Sequence, residues 1–428
     1  MSLFDVVVYG LIYMVPLAPM EVFGFSYNLS GGMVAAVYVT AGVAMYFSAV
    51  SYSEMAQQFP VAGSVYSYVR FGAGEFAGFM SGWSILLDYL LLPGLLCIFA
   101  AAAMHLQVPA LPEWVWVPVF VAISTLINLR GITFTAGVNR ICLYLQLAVL
   151  AMFVAAAVVA LSAGRVRFSW DPLLGHVHFS PAAIFTAFPV AVLSYIGFDA
   201  ISTLNEEARG GGRAVATATM IVLFAVGAMF VLQVYAAALF VPPGTRFDAG
   251  SAVTAFYDVA QTVAGPVFKA IVTLTSALIA ILANAIVSQA TTARLIYSMA
   301  RDRKIPGLLA AVDGRRKVPL RAILLVAVLS TGVGLLAINS SDLVTSMVTF
   351  GSLFAYCLLH FAVMRHFARG GDRRRWFAHC ASPVIGLAIL LYALWNTPLP
   401  ARVVGGGWLA VGVLLYRFRR ARGVEASA

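Results

Sequence analysis

The run Leu193-Ser194-Tyr195-Ile196-Gly197-Phe198-Asp199-Ala200 places a glycine and a carboxylate in the middle of an otherwise apolar stretch. It has a counterpart near the start of the chain. There Pro16-Leu17-Ala18-Pro19-Met20-Glu21 sets two prolines three apart, with Gly24 following, inside another apolar stretch. Each proline removes a backbone donor, so both stretches read as interrupted helices. Irregular backbone at membrane depth is tolerated only where it is buried in protein or lines a cavity.

The surrounding composition makes lipid the solvent. The 428 residues are 62% hydrophobic and 10% charged, a balance that one water-soluble core of this size does not hide. Crossing about 30 Å of hydrocarbon takes roughly 20 apolar residues per helix. The chain offers twelve such stretches, at 5–27, 32–58, 75–104, 114–130, 138–163, 179–206, 213–241, 264–299, 320–338, 342–367, 378–396 and 402–418. The expectation is an all-α membrane protein with one transmembrane domain over 1–428. Five spans separate the two breaks, so spans 1–5 (about 5–163) and 6–10 (about 179–367) form inverted-topology repeats, with two extra helices over about 378–418. Broken helices at matching places in two halves point to a binding site near the midplane.

Charge sets the orientation. With the N-terminus inside, the outer connections hold only Arg165, Arg167, Arg246, Lys269 and Arg402 of the 27 basic residues. The positive-inside rule then places both termini in the cytoplasm. The net charge of +10 is a topology signal resting on anionic lipid, as in the clusters Arg301–Lys317 and Arg373–Arg375, and not a nucleic-acid surface. No removable signal peptide is read at the N-terminus. Cys97, Cys142, Cys357 and Cys380 stand singly, which suits neither disulfides nor a metal site. Segment 57–68, which follows span 2, reads as a re-entrant or interfacial element, and 245–263 as an amphipathic outer helix over a vestibule.

Glu21, Asp88 and Asp199 lie well inside spans 1, 3 and 6, and no Lys or Arg lies at comparable depth. An ionised group at the bilayer centre costs about 2.5–3.5 kcal/mol, so three unpaired ones approach the whole stability of a domain, about 5–15 kcal/mol. External cations are the natural partners: the ammonium groups of a substrate, protons, or sodium. One of the three is expected to carry a proton near neutral pH and release it during transport. Phe23, Tyr27, Trp83, Tyr89, Tyr195 and Phe198 accompany the acids, and ring faces attract ammonium groups at about 0.5–2 kcal/mol each; core packing is the competing role. On span 8, Asn284, Ser288, Gln289, Thr291 and Thr292 line a path or make interhelical hydrogen bonds. No HExxH, no G-x-S-x-G elbow and no histidine cluster suggests an enzyme.

Four motifs carry a family resemblance: Phe59-Pro60-Val61-Ala62-Gly63-Ser64-Val65-Tyr66-Ser67-Tyr68, Gly82-Trp83-Ser84-Ile85-Leu86-Leu87-Asp88-Tyr89-Leu90, Gly197 to Glu207, and Ser288 to Tyr297. In these the sequence resembles the amino acid–polyamine–organocation superfamily of permeases, and within it the bacterial putrescine importers. The resemblance implies the five-plus-five inverted-repeat (LeuT-type) fold in a bacterial inner membrane, with substrate held between broken helices 1 and 6 with help from 3 and 8. The glycine-rich break that holds a substrate carboxylate in amino-acid carriers is here replaced by two prolines and Glu21, which favours an amine without a carboxylate. The putrescine importers carry an aspartate at this position, so the longer Glu21 bears on substrate length. The lysine that some relatives use in helix 5 is missing from span 138–163.

The expected function is secondary import of a small cation such as putrescine or a related polyamine, with no cofactor, metal or obligate protein partner. Substrate contacts are expected from Glu21, Asp199, Asp88, Tyr195, Phe198, Tyr89 and Trp83, the proton on Glu21, Asp88 or Asp199, and Glu54 with Arg294 as an inner gate or structural tie. A proton-coupled amino acid permease or an amine/amino acid exchanger is the alternative.

Overall fold

The computed structural model describes all residues except 62–63, 131, 177, 206–207, 277–281, 302–304, 315–317, 369–374 and 422–428. Among the described residues every regular element is helical. In chain order these are α1 (Leu3–Met14), α2 (Pro19–Ser30), α3 (Val34–Gln58), α4 (Ser64–Ala73), α5 (Glu75–Gln107), α6 (Glu113–Leu129), α7 (Ile132–Ser162), α8 (Asp171–Leu174) and α9 (Pro181–Tyr195). They continue with α10 (Gly211–Ala238), α11 (Ala249–Ala252), α12 (Ala255–Ala264), α13 (Pro266–Leu274), α14 (Leu282–Arg301), α15 (Leu320–Leu336), α16 (Ser341–Ala368), α17 (Ser382–Asn396) and α18 (Leu399–Ala421). Among the described residues, eight helices are long and apolar enough to cross a membrane, or nine with the bent pair α1 and α2 counted as one. The shorter apolar α6 and α15 stand at two further expected positions. The stretch 264–299, read from sequence as one span, carries α13 and most of α14 on either side of 277–281.

Both interruptions are present. Helix α1 ends at Met14, Val15 takes φ 49°, and α2 restarts at Pro19 with its axis turned by 51°. Gly24 lies inside α2 and not at the break, where a Cβ would meet the Ala252 carbonyl oxygen at 2.4 Å. Helix α9 stops at Tyr195, Ile196 is extended, Gly197 takes φ 126°, and the chain continues as a 3₁₀ segment over Phe198–Leu204. A Cβ on Gly197 would lie 2.4 Å from Cδ1 of Tyr13. Gly197 therefore supplies both a backbone conformation that L side chains avoid and the room for α1 to pass.

The long helices brace these breaks in pairs, α3 along α10 and α5 along α16. Helix α2 packs on α9, and α1 on α10 and the 3₁₀ segment. Segment 57–68, expected as a re-entrant or interfacial element, holds the end of α3 at Gln58 and the start of the short helix α4, whose residues Ser64–Val69 are buried against α5 and α16. The outer element forms as expected in kind, with α12 burying Phe256, Tyr257, Val259, Ala260 and Val263 against α2 and α7. Glu206, Glu207 and much of the two basic clusters lie outside the described residues.

Candidate functional site

The 3₁₀ segment brings Asp199 into full burial, at 0% exposure. A tight 3₁₀ turn directs its own backbone groups locally: the Gly197 N–H donates to Asp199 Oδ1 at 3.2 Å, and the Ser202 hydroxyl donates to the Asp199 carbonyl at 2.5 Å. From α5 the Tyr89 hydroxyl donates to Asp199 Oδ2 at 2.7 Å. Tyr89 is itself fixed through its carbonyl, which accepts from Thr292 of α14 at 2.7 Å. Helix α4 closes the other side, with Ser64 Oγ 3.4 Å from the Asp199 carbonyl and Asn205 Nδ2 donating to the Tyr68 hydroxyl at 2.6 Å.

An aromatic wall surrounds this carboxylate. The ring of Phe198 meets Tyr52 edge-on at 5.4 Å and Tyr356 at 5.6 Å, and Tyr52 meets Tyr356 at 5.7 Å. The buried hydroxyl of Tyr356 interacts with the Asp199 carboxylate and that of Tyr52 with Ser64, and Tyr13, Tyr52 and Tyr356 all stand within electrostatic reach of Asp199. Phenol hydroxyls gathered around a buried acid suit a polar ligand group.

Asp88, also at 0% exposure, sits one residue before Tyr89 and is electrostatically coupled to Asp199. Its Oδ2 contacts the Ser352 hydroxyl of α16, and its Oδ1 is buried without a partner. Glu21, at 6% exposure on the first turn of α2, belongs to a different neighbourhood, with Tyr38 and Tyr257 in electrostatic reach. Its carboxylate has no hydrogen bond or ion pair among the described residues. The Tyr38 hydroxyl is paired with Ser194 at 2.9 Å and the Tyr257 hydroxyl with Ser276 at 3.0 Å. No described Lys, Arg or His pairs with any of the three acids.

The remaining expected residues are placed elsewhere. Tyr195 donates to the Tyr38 carbonyl at 3.0 Å and lines a groove of 820 Å³ between α3 and α10. Trp83 stacks on Trp408 of α18 at 4.4 Å, and each indole N–H donates to the other's carbonyl at 2.7 Å. Glu54 pairs with Arg375 and with His379, each at 2.9 Å, and not with Arg294. It ties α3 to the entry of α17, and the expected pair with Arg294 is not formed. Span 8 spends Gln289 on interhelical bonds, accepting from Asn128 and donating to Thr125, both at 2.8 Å. Sequence reasoning missed Tyr13, Tyr52, Tyr356 and Ser352, which lack any local signal among 17 tyrosines.

The comparisons with known proteins agree with this architecture. Residues 4–415 match the amino acid permease family. The chain is 31% identical over 97% of its length to the low-affinity putrescine importer of Escherichia coli, covering 92% of that protein. It is 27% identical to a branched-chain amino acid permease of Bacillus subtilis, over 89% of this chain and 84% of the relative. A methylthioribose transporter of the same organism is 25% identical over the same shares. With two interrupted helices around a buried acid and a match along nearly its whole length, the chain belongs to the amino acid permease family of the amino acid–polyamine–organocation superfamily, a family of multi-pass membrane transporters.

Proposed function

We propose that this protein imports a small organic cation, putrescine or a related polyamine, across a bacterial inner membrane by alternating access. The observation that carries the reading is the set of three buried carboxylates, Glu21, Asp88 and Asp199, none paired with a basic residue among those described. A buried carboxylate without a counter-charge is costly, and an ammonium group supplies the charge these acids lack. Asp199 with Tyr89, Phe198, Tyr52 and Tyr356 forms one cation subsite. Glu21 forms the second, in its separate neighbourhood, where the nearby hydroxyls are already committed to Ser194 and Ser276. Two acids in two neighbourhoods suit a cation with two charged ends. An α-amino acid offers one cation and an anion that Glu21 repels.

Alternating access follows from two inverted repeats, about 5–163 and about 179–367, moving about the broken helices, with both termini cytoplasmic and the basic clusters against lipid. The membrane potential supplies about 2.3 kcal/mol per charge per 100 mV, so a dication accumulates roughly a thousandfold at 100 mV. A proton travels on one of the acids. The match to the branched-chain amino acid permease supports a second reading, an amino acid carrier or exchanger.

The test is uptake of labelled putrescine into proteoliposomes with an inside-negative potential, with and without a pH gradient, for the natural chain and Asp199→Asn. Saturable uptake, lost in the variant and competed by polyamines, is expected. Robust uptake of an amino acid without putrescine uptake would replace the amine with the second reading.

A further inference from the structure

Asp88 and Asp199 are treated differently by their surroundings, although both are fully buried. Asp199 has a donor on each oxygen, Tyr89 on one and the Gly197 amide on the other. Asp88 has the Ser352 hydroxyl on one oxygen and nothing on the other. The titratable groups facing Asp88 are Asp199 from the 3₁₀ segment, Tyr13 from α1, Tyr52 from α3 and Tyr356 from α16. None is a cation. Two carboxylates that share a water-poor region without a cation do not both stay ionised. The donors select the one that keeps its charge, Asp199. Asp88 takes the proton, and its neighbour suits either state, because a serine hydroxyl donates to a carboxylate and accepts from a carboxyl.

Asp88 is also kept apart from the break. A Cβ on Gly351 would lie 2.8 Å from the Ser84 carbonyl and 3.1 Å from the Asp88 amide, and Ser84 donates to the Gly351 carbonyl at 2.8 Å. The backbones of α5 and α16 therefore touch at Asp88, and its side chain lies in their seam while Tyr89 faces Asp199. An ammonium group arriving at Asp199 acts on Asp88 through charge.

On the amine reading above, we propose that Asp88 and Ser352 form a proton-holding pair that gives up its proton to water as an ammonium group binds Asp199, so that proton and amine bind competitively. The charge of the pocket is conserved in this step. Before binding, Asp88 is neutral and Asp199 carries one negative charge; afterwards both acids are ionised and one ammonium is present. Linkage makes the effect reciprocal: an added proton weakens the amine as much as the amine weakens the proton. The pH gradient then enters as proton exchange against amine, with the membrane potential driving the net inward charge.

The experiment is calorimetric titration of putrescine into the purified full chain at several pH values, each in two buffers of different ionisation enthalpy. Glu21, which has no donor, gives up a proton of its own to water as the second ammonium binds, so the Asp88 step is read in Glu21→Gln. There weaker binding with release of up to one proton per putrescine is expected, Kd rising by up to about tenfold for each unit of pH lost. Glu21→Gln/Asp88→Asn is expected to bind with a pH-independent Kd and release no proton, and Ser352→Ala shifts the pH at which release occurs. Binding to Glu21→Gln without proton release, or release that persists in Glu21→Gln/Asp88→Asn, overturns the inference while leaving the amine reading intact. No binding of putrescine or of a longer diamine overturns both.

Discussion

Gly197→Ala tests whether the interruption of span 6 is built as the geometry requires. The residue takes φ 126°, and a Cβ there would lie 2.4 Å from Cδ1 of Tyr13, 3.1 Å from its Cε1 and 3.3 Å from its carbonyl oxygen. Holding a residue with a side chain in that backbone region costs on the order of 1–3 kcal/mol, and forcing a methyl into packed space costs about 1–3 kcal/mol more. Tyr13 is 2% exposed, so its ring has little room to swing aside. The two effects sum to about 2–6 kcal/mol, a large share of a total stability of about 5–15 kcal/mol. The assay is thermal unfolding of the detergent-solubilised protein together with uptake. A fall in Tm of several degrees and loss of uptake are expected. In Gly197→Ala/Tyr13→Leu the steric part is relieved and the backbone part remains, so the two substitutions couple by about 1–3 kcal/mol instead of adding. A variant that melts and transports like the natural protein, or a pair that adds without coupling, would refute the account of the break.

Three further outcomes follow from individual contacts. Trp83→Ala removes a ring stacked on Trp408 and the bond its indole N–H makes to the Trp408 carbonyl, so Tm falls by the equivalent of about 3–5 kcal/mol while KM for the transported amine stays unchanged; a large KM shift without destabilisation would return Trp83 to the substrate site. Gln289→Leu removes the bonds that Asn128 and Thr125 make to α14 through this side chain while Asn128 keeps the Ile286 carbonyl and Thr125 the Val121 carbonyl, costing about 0.5–1.5 kcal/mol for each bond lost, and unfolding in denaturant reads it. At the start of α11, hydrogen bonds from the Ser251 hydroxyl and amide hold the Asp248 carboxyl below the usual carboxylate range. The stabilisation of the α11 start is present above that range and lost as pH falls through the lowered value, so amide exchange at Ser251 accelerates in acid and Asp248→Asn flattens the profile.

The breaks were legible because their causes are local. Proline removes a donor wherever it stands, and a glycine beside a mid-span acid marks backbone that leaves the helix, so Pro16, Pro19 and Gly197 reveal themselves without the fold. The three acids were legible for a similar reason: a carboxylate far from any span end is conspicuous in an apolar sequence whatever it touches. Direction and partnership were not. Tyr195 lies one residue before the extended Ile196, and which way its ring turns depends on where α3 and α10 pass. Trp83 meets Trp408, 325 residues away, and Glu54 finds Arg375 instead of Arg294 because the entry of α17 folds back over the end of α3. No spacing rule carries such contacts.

The same limit explains why sequence alone gives the three acids one shared role. Their depth is similar, and depth sets the penalty for charge, but the role depends on donors supplied from elsewhere in the chain. Asp199 receives a phenol from α5 and an amide freed by the break itself. Asp88, on the same helix as that phenol, turns into the seam with α16 and meets a single serine. Glu21 stands on the far side of the other break, where the nearest hydroxyls answer to Ser194 and Ser276. A donor supply that falls from Asp199 through Asp88 to Glu21 thus separates acids that composition and position leave equivalent. On the proposed reading the ordering is physical: the acid with the most donors is the one of the buried pair that carries the charge met by an ammonium group, the acid beside the serine is the one that carries the proton, and the acid with none depends on a cation that the chain itself does not provide.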